Sequence, residues 1–296
     1  MDAPARLPKV LVAVDGSPLS LVELPLARAI AGQLDASVEV IHVARPENAD
    51  VGALSIRPAL QQGDGLEVRL ATTDPAASIL EAAAESTVAL LALATHGGVV
   101  GSDPHLGAVA RTILAATRRT VLLIPPEHPG TIADLQFDRL LVPFDGSPAT
   151  AAALAPAIQL ASRLHAGIDL LYVASQEPNA QEETGRIGAP RYVDQPHHEW
   201  PGWAAEIMAH LDAALAGLPE EVRTRVYLAR GDVAAEIVRF ATETHAKALV
   251  LVRRSHLESG RANVLREVLN HPPCAVLLVP GPPGLGGLGT PRVRRG

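Results

Sequence analysis

Residues 9–44 read KVLVAVDGSPLSLVELPLARAIAGQLDASVEVIHVA, and residues 139–174 read RLLVPFDGSPATAAALAPAIQLASRLHAGIDLLYVA. The two stretches align without a gap at an offset of 130 residues, with 13 of 36 positions identical. Each begins with an apolar run, passes through Asp-Gly-Ser-Pro into a helical pattern and ends in a second apolar run. A repeat of this length corresponds to a whole domain, so the 296 residues are predicted to form two copies of one α/β unit.

The composition excludes several classes of protein. Apolar residues make up 48% of the chain and aromatic residues 3%, so Ala, Val and Leu must fill the core. A net charge of −7 disfavours binding to nucleic acid or to an anionic membrane, because both need a basic face. The single cysteine, Cys274, rules out an intramolecular disulfide and is expected to be buried as a small apolar residue. With no signal-peptide pattern and no apolar stretch near the roughly 20 residues that span a bilayer, a cytoplasmic protein without membrane contact is predicted.

Short apolar runs alternate with longer helical patterns along both copies. Most of the runs are continuous Val, Leu and Ile, which is typical of parallel strands buried on both faces. The alternation predicts an α/β fold with two tandem doubly wound, Rossmann-like sheets, each of five parallel strands with helices on both faces. The predicted strands are 10–14, 38–43, 66–71, 89–93, 121–124, 140–144, 168–173, 222–228, 248–252 and 275–279. The predicted helices are 18–34, 75–86, 107–117, 148–164, 202–216, 233–245 and 261–269.

The copies define the domain boundaries. We predict a first domain at residues 1–126, a polar linker at 127–137, a second domain at 138–281 and a disordered Gly/Pro-rich tail at 282–296. Between its second and third strands the first copy has about 22 residues, whereas the second has about 48. The first domain is therefore expected to lack most of one helix, leaving a sheet face for its partner domain or another subunit to cover.

The start of a helix explains three of the four residues of the Asp-Gly-Ser-Pro segment. Ser17 suits the N-cap of a helix, Pro18 its first position, and Gly16 the turn before it. This explanation does not account for Asp15, which ends a strand. A carboxylate there faces the ligand crevice of a doubly wound sheet and can accept a hydrogen bond from a ligand amine.

Four features together resemble the universal stress protein family in its tandem two-domain form. They are the two Asp-Gly-Ser starts, the segment Asp74–Ala76 with its partner at 231–234, the Thr-His-Gly at 95–97, and the closing VLLIP and VLLVP strands. The resemblance covers about residues 9–126 and 139–280. It implies five-stranded parallel sheets and frequent dimers; some family members bind ATP, and no enzymatic turnover defines the family.

The resemblance implies that Asp15 holds the adenine base of ATP, framed by Val43, Leu93 and Ala94. ATP-binding members carry Gly-x-x-Gly, nine residues and then Gly-Ser or Gly-Thr, and the first copy keeps this spacing.

The phosphate-binding part of the motif then falls on the loop and the start of the last helix of the first copy. Backbone N–H groups at a helix N-terminus favour anions. The residues expected to offer them to the phosphates are Gly97, Gly107, Ala108 and Val109.

The first copy departs from the family motif at three positions. Ala94 stands where a Gly is expected, and Ala108 replaces the hydroxyl residue that donates to phosphate. Asp103, inside the loop, repels phosphate unless a divalent cation such as Mg²⁺ bridges them. In the second copy the loop is four residues shorter and its Gly pattern is gone, so any ATP site belongs to the first domain.

Three functional hypotheses follow. The leading one is a non-catalytic, nucleotide-sensing stress-response regulator that binds ATP in its first domain, and not an enzyme. The rival is a ligand-free scaffold for dimerisation or interaction, with a homodimer or a pseudo-symmetric pairing of the two domains. The third is a slow ATP hydrolase. No metal site is predicted, because His197, His198 and Glu199 lack the spacing of a helical metal motif.

Overall fold

A computed structural model describes residues 8–21, 23–44, 49–70, 74–95, 106–125, 136–144, 148–175, 205, 209, 221–253 and 261–280. The first half contains five strands, β1 to β5, and five helices, α1 to α5. The strands are β1 (Lys9–Val14), β2 (Ser37–Ala44), β3 (Gly65–Leu70), β4 (Val88–Ala94) and β5 (Thr120–Ile124). The helices are α1 (Pro18–Leu21), α2 (Glu23–Gln33), α3 (Ala49–Ile56), α4 (Pro75–Ala83) and α5 (Ala108–Ala116), and a 3₁₀ turn (Arg57–Ala59) follows α3.

The second half repeats this pattern, and the fold class predicted from the sequence is confirmed. Its strands are β6 (Arg139–Phe144), β7 (Gly167–Ser175), β8 (Thr224–Gly231), β9 (Ala248–Arg253) and β10 (Ala275–Pro280). Its helices are α6 (Pro148–Arg163), α7 (Val233–Glu243) and α8 (Arg261–Asn270). Most predicted bounds agree to within two residues; the exceptions are β8, which ends at Gly231 and not at position 228, and α4, which ends at Ala83 and not at position 86. Of the helix predicted at 202–216, only residues 205 and 209 are described, both helical.

The two five-stranded sheets join into one. Its order is β3-β2-β1-β4-β5-β10-β9-β6-β7-β8, so each half has the same internal order. Strands within each half pair in parallel, whereas β5 and β10 pair antiparallel, with Leu122 opposite Leu277. The pseudo-symmetric pairing of the two domains is therefore made within one chain. Because the halves run in opposite directions, the carboxyl ends of their strands lie on opposite edges of the joint sheet.

Each face of the sheet carries one apolar core that extends through both halves. Alternate strand residues enter different cores. Val10 and Val12 pack in the first core, on one face of the sheet, and Leu11 packs in the second core, on the other face. Burying one such side chain completely contributes about 1.5–3 kcal/mol, which explains why the strands read as unbroken apolar runs. Cys274 lies in the second core, and burial raises the pKa of its thiol to about 12.

The sequence predicted that the middle of the first half lacks most of one helix; the structure has α3 and the 3₁₀ turn there, and α3 packs against β2 and β3. In this region, Leu54 of α3 is 67% exposed and Val68 of β3 is 38% exposed. The corresponding segment of the second half and the predicted linker and tail lie largely outside the described residues. Within those residues, no helix is long and apolar enough to cross a membrane.

One glutamine connects the two halves by hydrogen bonds on the first core. At the end of α2, Gln33 donates through Nε2 to the carbonyl of Leu164 at 3.0 Å, and its Oε1 accepts from the amide of Phe137 at 3.1 Å. The side chain thus binds the end of α6 and the residue that leads into β6. Because Phe137 is fully buried, its amide has few alternative acceptors.

We expect Gln33→Ala to lower the free energy of unfolding by about 1–3 kcal/mol, because the buried amide of Phe137 loses its acceptor. Urea unfolding followed by circular dichroism measures the change. Gln62→Ala, in an exposed turn of the first half, is the control and should stay within about 0.5 kcal/mol. Equal stability of the two variants would contradict a role for Gln33 in joining the halves.

Candidate functional site

The crevice of the first half lies where the strand order reverses, between β1 and β4. At the end of β1, Gly16 adopts φ 84°, a left-handed conformation that favours glycine. Asp15 Oδ1 accepts a hydrogen bond from the amide of Ser17 at 2.9 Å, and Ser17 Oγ accepts from the amide of Ser20 at 3.2 Å. The Asp-Gly-Ser sequence therefore closes the strand and caps α1, as its composition predicts.

Asp15 has a structural role as well as its predicted ligand role. Its carboxylate stabilises the turn through Ser17, and its amide donates to Ser20 Oγ at 3.3 Å. The residue is exposed at the carboxyl edge of the sheet. A carboxylate accepts several hydrogen bonds, and the bond from Ser17 is one of those that Asp15 makes.

The residues expected to frame a base lie at the same edge, on two neighbours of β1. Val43, near the end of β2, is half-buried and packs against the core on the α4 and α5 face. Leu93 of β4 is buried, and its side chain packs in that same core. Ala94 ends β4 opposite Ile124 of β5. The structure thus brings these three residues to the strand ends beside Asp15.

The loop after β4 is closed at its base by backbone hydrogen bonds. The amide of the fully buried Thr95 donates to the carbonyl of Ile124 at 3.1 Å, and the Thr95 carbonyl accepts from the amide of Gly107 at 3.0 Å. The sequence-based hypothesis assigned the Gly107 amide to phosphate, but here it is already donated to Thr95. Gly97 and Asp103 lie outside the described residues.

The N-terminus of α5, the helix that follows the loop, favours anions. Gly107 is the N-cap of α5 and has no side chain to cap it, while Ala108 and Val109 are exposed in its first turn. The first amides of a helix have no acceptor within the helix, and the helix dipole adds roughly half a positive charge there. Ala108 and Val109 therefore remain the described phosphate-binding candidates.

The Asp-Pro-Ala segment is explained by helix capping. Asp74 Oδ1 accepts from the amide of Ala76 at 2.9 Å at the start of α4, and Asp232 Oδ1 accepts from Ala235 at 2.8 Å at the start of α7. Both are N-caps of the corresponding helix in each half. This part of the motif is structural in both halves.

Sequence reasoning missed two buried polar residues near Asp15. Glu23, the first residue of α2, is 1% exposed, and neither of its carboxyl oxygens has a hydrogen-bond partner among the described residues. Burial, and secondarily the charge of Asp15, raise the pKa of Glu23 well above its ordinary value. On β2, His42 is buried, with Nδ1 3.0 Å from the carbonyl oxygen of Val14. The repeat contained the signal for both, because a shift of 130 residues places Ala153 opposite Glu23 and Tyr172 opposite His42.

The described residues hold no group of three or more His, Cys, Asp or Glu side chains able to bind a metal ion. His197, His198 and Glu199 lie outside them. So do Asp145 and most of the loop after β9, so the geometry of the second crevice is not described. The candidate site accordingly rests on the first half.

We expect the stability of the protein to fall as the pH rises because of Glu23. Its raised folded pKa means that the folded state keeps a proton that the unfolded chain releases. Over the window from the unfolded pKa up to the folded pKa, this one group removes about 1.4 kcal/mol of stability per pH unit. Urea unfolding of wild type and Glu23→Gln at several pH values isolates the effect, since other groups cancel.

A matched control for this experiment is Glu81→Gln, because Glu81 is 81% exposed in its side chain on α4. The difference in unfolding free energy between this variant and wild type should be small, because an exposed ion pair such as that of Glu81 with Arg69 contributes little to stability. A pH-independent difference between Glu23→Gln and wild type would show that Glu23 titrates normally.

Comparison with known proteins adds family membership to this geometry. The model of the universal stress protein family matches residues 136–280. The structure is similar to that of a protein of unknown function from Pseudomonas aeruginosa PAO1, at 14% identity, TM-score 0.62 and 93% coverage of both chains. It is also similar to a universal stress protein from Archaeoglobus fulgidus DSM 4304, at 16% identity and TM-score 0.60, covering 92% of this chain and 98% of that one. No curated protein matches the sequence. The resemblance drawn from the motifs is thus confirmed: residues 136–280 belong to the universal stress protein family, and the chain as a whole has the fold of these two structures.

Proposed function

We propose that the first half of the chain binds ATP, with Mg²⁺, and that the protein acts as a non-catalytic, nucleotide-sensing regulator of the stress response. The observation that carries the proposal is the placement of the exposed Asp15 at the switch point between β1 and β4. A carboxylate there accepts a hydrogen bond from the exocyclic amine of adenine. Guanine presents a carbonyl oxygen at the equivalent position, so the same carboxylate disfavours it.

The described residues fit the base better than the phosphates. Ala108 and Val109 offer backbone amides at the N-terminus of α5, which attracts anions. The Gly107 amide is donated to Thr95, and Ala108 has no hydroxyl. Each missing donor weakens binding by about 0.5–1.5 kcal/mol, so the two together reduce affinity by roughly 5- to 150-fold. Asp103 belongs by sequence to the predicted phosphate loop, where Mg²⁺ would offset its charge. We therefore propose a site of modest affinity, specific for adenine.

A second candidate function is a ligand-free interaction scaffold. It is favoured by the closed hydrogen bond between Gly107 and Thr95, which removes a phosphate donor, and by the apolar exposure of Leu54 and Val68. The absence of catalysis and the location in the cytoplasm stay predictions. Phosphate release from ATP measures the first directly, and sustained turnover would contradict it.

We expect Mg-ATP at millimolar concentration to raise the melting temperature of the wild-type protein, and Mg-GTP to raise it less. A ligand at 100 times its dissociation constant stabilises the folded state by about 2.7 kcal/mol, an easily measured shift. Denaturing the purified protein and measuring adenine absorbance detects nucleotide that was retained on purification. If neither nucleotide shifts the melting temperature and none is released, the scaffold hypothesis takes the place of the proposal.

We expect Asp15→Asn to weaken ATP binding by about tenfold or more, the effect of losing a hydrogen bond to a charged group. This variant keeps an Oδ1 acceptor for the Ser17 amide, so the turn is preserved while an amide donor faces the adenine amine. Isothermal titration calorimetry measures the dissociation constant. Asp145→Asn, at the repeat-equivalent position, is the matched control and should bind as wild type does. The opposite pattern would place the site in the second half.

A further inference from the structure

Glu23 is a buried acid with no role in the turn from Asp15 to Ser17, in the cap of α1 or in the apolar core. It belongs to α2, whose following turns supply Leu24, Ala27 and Ile30 to the first core. Within the described part of the chain, its two carboxyl oxygens have no hydrogen-bond partner, and they have almost no contact with solvent. An ionised carboxylate in such a place is strongly destabilised, whereas a protonated one is tolerated. The fold therefore holds a neutral acid at the N-terminus of α2.

This acid occurs in only one of the two repeats. The position equivalent to Glu23 is Ala153, and the position equivalent to His42 is Tyr172. His42 and Tyr172 occupy the same register, opposite the last residue of β1 and of β6 respectively. The repeat without the Gly-rich phosphate motif thus has an alanine where the repeat with the motif has an ionisable group.

Among the residues that the structure describes, no cation pairs with Glu23. The elements packed most extensively against α2 are α1, β1, β2 and β4, while Arg28 and Gln33 also bond to the segment after α3 and to the second half. Among their described residues, α1 and β4 carry no titratable side chain. Lys9 begins β1 at the end away from the crevice and pairs with Glu39 and Glu85. On α2 itself, Arg28 pairs with Asp64. The groups that remain near the carboxyl edge are Asp15, which adds negative charge, and the buried His42.

We propose that the first-half site is proton-linked: it binds its anionic nucleotide while Glu23 is neutral and loses affinity when Glu23 ionises. This inference rests on the proposed function and names how that site is regulated. Ionisation adds a second negative charge behind Asp15, which repels a phosphate-bearing ligand. It also destabilises the junction of α1 and α2, whose preceding turn holds the Asp15 carboxylate in place. Glu23 is thus a positioning and regulatory residue that acts through Asp15.

The test compares the pH dependence of Mg-ATP binding in wild type and Glu23→Gln. Glutamine has the shape of the protonated acid and cannot ionise, so it mimics the neutral form at every pH. Titration calorimetry from about pH 5 to about pH 9 covers the range over which a buried carboxyl with a raised pKa ionises. The ratio of the two dissociation constants removes the titration of ATP itself and of the histidines, because these are common to both proteins.

We expect the two proteins to bind alike at the lower end of this range. At the upper end wild type should bind roughly tenfold more weakly than Glu23→Gln, the effect of one unit charge about 10 Å away at an effective dielectric constant of about 20. Glu23→Ala, which installs the residue of the second repeat, should resemble Glu23→Gln in its pH profile. Glu81→Gln should follow wild type.

The outcomes distinguish a failure of proton linkage from a failure of the proposed ATP binding. A constant ratio of dissociation constants across the pH range overturns proton linkage while leaving ATP binding intact. Absence of binding by both wild type and Glu23→Gln at every pH overturns the proposed function, and the inference with it. If Glu23→Ala fails to fold, the isosteric Glu23→Gln still decides the question.

Discussion

The antiparallel pairing of β5 with β10 is the interaction on which the arrangement of the whole chain depends. Each half alone ends its sheet on one of these strands, and a sheet edge exposes unpaired N–H and C=O groups. Here each edge satisfies the other, and the fully buried Leu122, Leu123, Val276 and Leu277 come together along it. Both apolar cores consequently run through the two halves, which form one continuous sheet instead of two separately closed units.

The same pairing separates the two crevices. Because the halves run antiparallel, their strand carboxyl ends lie on opposite edges of the sheet. This separation is consistent with a second repeat that keeps the Asp-Gly-Ser-Pro start and loses the Gly-rich loop. The start is retained because it builds a helix from a strand end: Gly16 makes the turn, and the side chains of Asp15 and Ser17 accept the amides that follow.

The candidate site combines residues with structural roles and residues without them. Asp15 supports its own turn, and Gly107 closes the loop base on Thr95, so both are constrained before any ligand arrives. Glu23 differs, because its burial costs stability and no hydrogen bond from the described residues compensates for it. Such a cost, present in one repeat and replaced by alanine in the other, is the strongest physical reason to associate Glu23 with the crevice of the first half.

Local patterns in the sequence predicted most of the fold. Continuous apolar runs marked the ten described strands, and Ser17 and Pro18 marked the start of α1. Capping and strand burial depend on neighbours in sequence, which explains this success. The site was predicted less completely: the motif spacing indicated Ala108 and Val109 correctly as residues of the first turn of α5, but it also counted the Gly107 amide, which a distant carbonyl accepts.

The sequence by itself thus determined two copies of a parallel α/β unit, their helix caps and the half that retains a ligand motif. Only the tertiary structure decided that β5 and β10 join the copies, that Gly107 donates to Thr95, and that Glu23 is buried beside Asp15 without a partner. The physical reason is that these last features depend on which groups meet across the fold. Hydrogen-bond satisfaction and desolvation are properties of a three-dimensional environment, and no local pattern of residues specifies them.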